Sequence, residues 1–110
     1  MGNKCRKIYK VVSNNEVAFF NGDQLLHNLN GPARIYFYDD DIRIKELHYL
    51  INGRYHRNEE DGPALIIFDS HGRVRTEIYY KHGIECRCFG PSYIEYDTVG
   101  NITYQEFHKS

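Results

Sequence analysis

One hundred and ten residues, 41% of them hydrophobic and 15% aromatic, suffice for one domain and leave no room for a second. A formal net charge of −1 provides no overall field for a phosphate backbone, so a nucleic-acid role would have to rest on a local patch. The longest apolar run, Ala64-Leu65-Ile66-Ile67-Phe68, is strand-sized and far short of the ~18 residues that span a bilayer.

From the amino end, "MGNKCRK" lacks the apolar stretch of a signal peptide, which sets a cytoplasmic expectation. Gly2 and Cys5 suggest lipidation, but the Ser/Thr of the myristoylation pattern falls at Arg6. Lys4, Arg6, Lys7 and Lys10 are the only basic cluster and read first as a solvated terminus. Cys5, Cys86 and Cys88 make an odd count, which argues for reduced thiols over a disulfide framework. The segment "CRKIYKVVSNNEVAFFNG" shares the glycine spacing of the rest of the chain but has no Gly-Pro, so residues 1–30 read as a degenerate capping repeat.

The remainder is periodic. Gly31-Pro32, Gly62-Pro63 and Gly90-Pro91 recur at spacings of 31 and 28 residues, in "NGPARIYFY", "DGPALIIFD" and "FGPSYIEYD". Gly22, Gly53 and Gly83 fall between them as Asn-Gly or His-Gly, the residue types of two-residue hairpin turns. A third mark lies ten residues after each Gly-Pro, at Asp41, Gly72 and Gly100. After Gly-Pro the residues alternate with period two, and the returning segments "IRIKELHYL", "RVRTEIYY" and "NITYQEFH" are rich in β-branched and aromatic side chains. Glu46 to Gly53 is one residue longer than Glu77 to Gly83, which predicts a bulge in the first return strand. No segment offers a capped helical period. The expected fold is all-β: an antiparallel meander of repeated β-hairpins with about seven or eight strands. Residues 31–61 and 62–89 form its central repeats and 90–110 a partial terminal one.

"NGRYHRNEEDGPALIIFDSHGRVRTEIYYKHG" resembles the variant MORN repeat, with its N-G-x-x-H-R-x-x-x-G-P-A core followed by G-x-x-x-x-E-x-Y-Y. Arrays of this repeat occur in bacterial YwqK-type antitoxin modules and in repeat proteins of large DNA viruses. The resemblance covers roughly residues 16–108 and is most specific in the two central units. It implies a hairpin array used for protein–protein contact or assembly, with another protein or with itself as a homo-oligomer, and brings no catalytic residues and no cofactor.

His56-Arg57 beside Glu59-Glu60-Asp61 has the make-up of an acid–base or metal site, but the same offset after Gly83 gives Cys86-Arg87, so the pair belongs to the repeat. The structural reading has Arg57 and Arg87 pairing with nearby acids or bonding strand-edge carbonyls. Equivalent positions of successive hairpins stand roughly 9.5 Å apart, which strains a zinc site between His56 and Cys86. Cys86-x-Cys88 is a weak metal signal without paired spacing, so no metal is expected. The opposite face of the Gly-Pro strands carries Arg34, Tyr36 and Tyr38, then Leu65, Ile67 and Asp69, then Tyr93, Glu95 and Asp97, a set too apolar to be wholly wet. Apolar residues flanked by Tyr and Arg suit the centre of a protein interface. Lys4, Arg6, Lys7 and Lys10 with Tyr9 as a stacking platform form the nucleic-acid alternative.

Overall fold

The computed structural model describes residues 7–109. Among the described residues, twelve strands run in chain order: β1 (Tyr9–Ser13), β2 (Glu16–Phe20), β3 (Arg34–Phe37), β4 (Ile44–His48), β5 (Leu50–Ile51), β6 (Arg54–Tyr55), β7 (Leu65–Phe68), β8 (Val74–Ile78), β9 (Tyr80–Lys81), β10 (Ile84–Glu85), β11 (Tyr93–Tyr96) and β12 (Ile102–Glu106). Eight form one antiparallel sheet in the order β1-β2-β3-β4-β7-β8-β11-β12, the expected meander. The sheet is open, and the described chain measures 50 × 39 × 17 Å. No helix among the described residues is long and apolar enough to cross a membrane.

The four short strands form two small hairpins, β5–β6 and β9–β10. Each follows a long return strand after one residue, Tyr49 or Tyr79, and turns through a pair with positive φ at both positions. These pairs are Asn52-Gly53 (50° and 79°) and His82-Gly83 (52° and 82°), the backbone signature of a type I′ turn. The small hairpins are laced together by their backbones. Gly53 N donates to Leu26 O and Gly83 N to Tyr55 O, both at 2.8 Å.

Strand register defines which residues are repeat-equivalent. His48 pairs with Leu65, and Ile78 pairs with both Leu65 and Tyr93. His48 and Ile78 are therefore counterparts, as are Arg34, Leu65 and Tyr93. Ala33 and Ala64 are fully buried on the other side, and the third repeat buries Ser92 in the same place. In the amino-terminal hairpin, register gives that position to Lys10, which pairs with Phe19 and is exposed on edge strand β1. A charged side chain at an open edge discourages pairing with another sheet.

Two expectations need correction. The three hairpins that follow a Gly-Pro, β3–β4, β7–β8 and β11–β12, carry a register shift near the turn, at Tyr36/Phe37, Ile67/Phe68 and Glu95/Tyr96. The extra residue of the first unit is not a bulge between Glu46 and Gly53. Phe37 pairs with Ile44 where Phe68 pairs with Val74, so the added residue lies in the turn containing Asp39, Asp40 and Asp41. Glu77 is the counterpart of Leu47, not of Glu46, because Ile66 pairs with both Leu47 and Glu77. Gly22 likewise does not share the geometry of Gly53 and Gly83. Asn21 N donates to Leu25 O around a longer loop whose positive φ falls at Gln24 (63°), and the Asn21 side chain accepts from the amides of Asp23 and Leu25.

The acids at the long turns serve turn chemistry. Asp40, Asp69 and Asp97 each accept two backbone amides through Oδ1, at 2.9–3.1 Å. Bonds from the Arg43 and Ile42 amides hold the Asp40 carboxyl down to about 2.

Candidate functional site

The grouping of His56 and Arg57 with acids resolves into repeat architecture. Arg57 Nη1 donates to Pro63 O (3.1 Å), and its guanidinium lies over the Tyr49 ring at 3.9 Å. Arg87 repeats both contacts on Pro91 O (3.2 Å) and Tyr79 (4.0 Å). Asn28 makes the corresponding bond to Pro32 O in the first unit, at 3.0 Å. The arginine requires the glycine beside it. Gly62 and Gly90 both adopt φ of 127°, and a Cβ built there would lie 2.8 Å from Arg57 Nη1 or 3.0 Å from Arg87 Cζ.

His56 Nδ1 accepts from the His82 amide (3.0 Å), and the two rings stack with centroids 4.3 Å apart. Burial, with His82 and Lys81 nearby, pushes its pKa below the usual value. His27 does the same for Asn52 N at 2.9 Å, which makes His27 a counterpart of His56 that sequence comparison missed. The miss has a cause: Gly22 to His27 is two residues longer than Gly53 to His56.

Glu59 reaches into the next unit and accepts the amides of Cys88 (2.8 Å) and Phe89 (2.9 Å), 3.9 Å from Arg87 Nε. The Cys88 bond leads in holding its carboxyl below the usual range. An open cleft of about 760 Å³ is lined by these residues and Tyr79. Among its polar side chains, Glu59 accepts the Cys88 and Phe89 amides, and Arg57 and Arg87 donate to proline carbonyls. Cys86 is half-buried, Cys88 is exposed and both thiols are free.

Five of the six interface candidates share one sheet face. Register places Arg34, His48, Leu65, Ile78, Tyr93 and Glu106 in one cross-strand row. A second row runs Glu16, Tyr36, Glu46, Ile67, Thr76, Glu95 and Tyr104. Leu65 and Ile67 are half-buried at the middle. On one side, Tyr36 meets the His48 ring edge-on at 5.4 Å, and His48 bonds Tyr55 Oη and Glu46 Oε1, both at 2.8 Å. On the other, Tyr93 packs edge-on against Tyr104, and its hydroxyl donates to Glu95 Oε2 at 2.6 Å, which pushes its pKa up to about 12. Tyr38 stands apart past the bulge, donating its hydroxyl to Phe68 O at 2.9 Å.

The return strands, which alternation alone left out of the candidate face, supply Glu16, Glu46 and Glu106, and Glu95 comes from the Gly-Pro strand β11. Glu16, Glu46, Glu95 and Glu106 lie in the two rows against the single guanidinium of Arg34, which sits 2.7 Å from Glu16 Oε2. The rows therefore carry 1 − 4 = −3 formal charges with His48 neutral. Of the basic alternative site, Lys7 and Tyr9 stand together at the amino edge, with the Lys7 ammonium 5.9 Å from the Tyr9 ring centre. Gly2, Lys4, Cys5 and Arg6 lie outside the described residues. Compared with protein-family profiles, with curated proteins and with solved structures, the chain matches none.

Proposed function

We propose that the protein is a non-catalytic interaction module whose acid-rimmed, aromatic sheet face receives a protein partner carrying basic residues around an apolar anchor. The observation that carries this reading is the layout of the face: Leu65 and Ile67 between Tyr36 and Tyr93, with Glu16, Glu46, Glu95 and Glu106 in the same rows. Apolar and tyrosine side chains supply the buried centre of such contacts, and a complementary potential speeds encounter and excludes wrong partners. The resemblance to variant MORN repeats, including antitoxin-like modules that bind another protein, supports the same reading. Spending the His-Arg-acid grouping on turns and ring stacking favours binding over catalysis. The face's negative charge disfavours nucleic acid, leaving only the amino-terminal basic segment for that role.

Ile67→Lys tests the reading, since lysine opposite Glu46 forms a favourable cross-strand pair while repelling a basic partner. Affinity capture with the native chain should retain a basic protein that Ile67→Lys and high salt both release. Light scattering across a hundredfold concentration range determines whether that partner is a second copy. A partner held equally well by Ile67→Lys, or single-stranded nucleic acid bound at low salt without such a protein, would refute the reading.

A further inference from the structure

The three junctions between a small turn or hairpin and the following return strand can be compared position by position. Phe20 bridges Leu26, Leu50 pairs with Tyr55, and Tyr80 pairs with Glu85, which makes Leu26, Tyr55 and Glu85 counterparts. The amides of Ala33, Ala64 and Ser92 donate to the carbonyls of His48, Ile78 and Glu106, which aligns those residues in turn. Two positions further on, Leu50, Tyr80 and His108 accept the equivalent amides of Asn28, Arg57 and Arg87. The first junction is thus Leu26, Ala33, His48 and Leu50, and the second is Tyr55, Ala64, Ile78 and Tyr80. The third is Glu85, Ser92, Glu106 and His108.

At this last junction four positions change together, and the new side chains converge. His108 Nε2 lies 3.1 Å from Glu85 Oε2 and 3.1 Å from Glu106 Oε1, and one ligand-type atom from each residue falls within 4.8 Å of the others. Ligands ~2.0–2.2 Å from a tetrahedral ion stand roughly 3.3–3.6 Å apart, so small side-chain adjustments accommodate an ion. Outer partners are in place. The fully buried Ser92 donates through Oγ to Glu85 Oε2 (3.0 Å), and Tyr104 donates to Glu106 Oε2 (2.5 Å), orienting both carboxylates. His108 is about half exposed, which leaves a route for the ion and room for water to complete its shell.

We propose that Glu85, Glu106 and His108 form a divalent transition-metal site for which zinc is the best-suited ion. One imidazole nitrogen with two carboxylate oxygens is a borderline-hard donor set, suited to zinc over calcium or copper(I). On binding, the ion takes the lone pair of His108 Nε2, and any proton held there is released to solvent. The site ties β10 to the return strand β12, beside the small hairpin β9–β10.

Titration calorimetry of zinc into the full chain, paired with cobalt(II) absorption spectra, tests this. One ion per chain is expected, with a cobalt spectrum lacking thiolate charge transfer. Binding should disappear in His108→Ala and in Glu85→Gln, while Ser92→Ala, which restores the residue of the other two repeats, should weaken it by about 10–100-fold. Circular dichroism establishes that each variant is folded, and exposed His108 is the safest of them to replace. Absence of binding at millimolar zinc would overturn the proposal. So would native-like affinity in both His108→Ala and Glu85→Gln, or a thiolate band placing the ion on Cys86 and Cys88.

Discussion

The first unit and the two after it solve the same problem with different residues. Around Pro63 and Pro91, an arginine bonds the proline carbonyl, covers a tyrosine ring and crowds a glycine held at φ of 127°. Around Pro32 the shorter Asn28 makes the bond. Gly31 does not adopt positive φ, and a Cβ there would stand 3.7 Å from Asn28 Nδ2. The glycine of the Gly-Pro pair is thus demanded by the arginine and the backbone it stabilises, and where the arginine is absent the demand lapses.

The sharpest way to break that comparison is an alanine at each glycine. Gly62 has ψ of −172° with its φ of 127°, a region essentially closed to other residues. Gly62→Ala should cost about 2–3 kcal/mol, whereas Gly31→Ala should stay within about 0.5 kcal/mol, both read from urea unfolding midpoints. Equal costs would remove the distinction. Arg57→Ala should cost about 1–2 kcal/mol through the lost ring contact and carbonyl bond, and Asn28→Ala about half as much. Arg57→Lys should recover little, because an ammonium lacks the planar face that covers Tyr49.

A smaller effect tests the first unit's longer loop. Gln24 holds φ of 63° without glycine's freedom, so Gln24→Gly should stabilise by a few tenths of a kcal/mol, read as a raised unfolding midpoint. The smallest concerns pH. His56 has a folded pKa below 6.5, so the unfolded chain binds its proton more readily, and stability should fall as pH drops through 6.5. His56→Gln should shrink the drop in midpoint between about pH 7.5 and pH 5.5, and an unchanged drop would assign the dependence to other groups.

Much of this architecture was legible in the sequence because Gly-Pro and the turn marks repeat while the intervening residues alternate. Positions shifted by insertion were not. The extra residue among Asp39-Asp40-Asp41 misaligned Glu46 with Glu77, and two added residues hid the kinship of His27 and His56. The small hairpins use two-residue strands, too short for any period to register. The candidate face was half visible. Arg34, Tyr36, Leu65, Ile67 and Tyr93 follow from alternation, but His48, Glu46 and Glu106 join them only through cross-strand register. Glu85, Ser92, Glu106 and His108 carry no motif spacing, and their convergence depends on aligning the weakest repeat through its backbone bonds.

The Arg-Gly-Pro grouping is frame, and on the proposed reading the half-buried Leu65–Ile67 face is where a partner docks. Unfolding midpoints of Arg57→Ala and Ile67→Lys, measured side by side on the native background, test this division most directly. A clear loss is expected for Arg57→Ala and a near-native midpoint for Ile67→Lys. A stable Arg57→Ala beside an unfolded Ile67→Lys would make the face the core and contradict it.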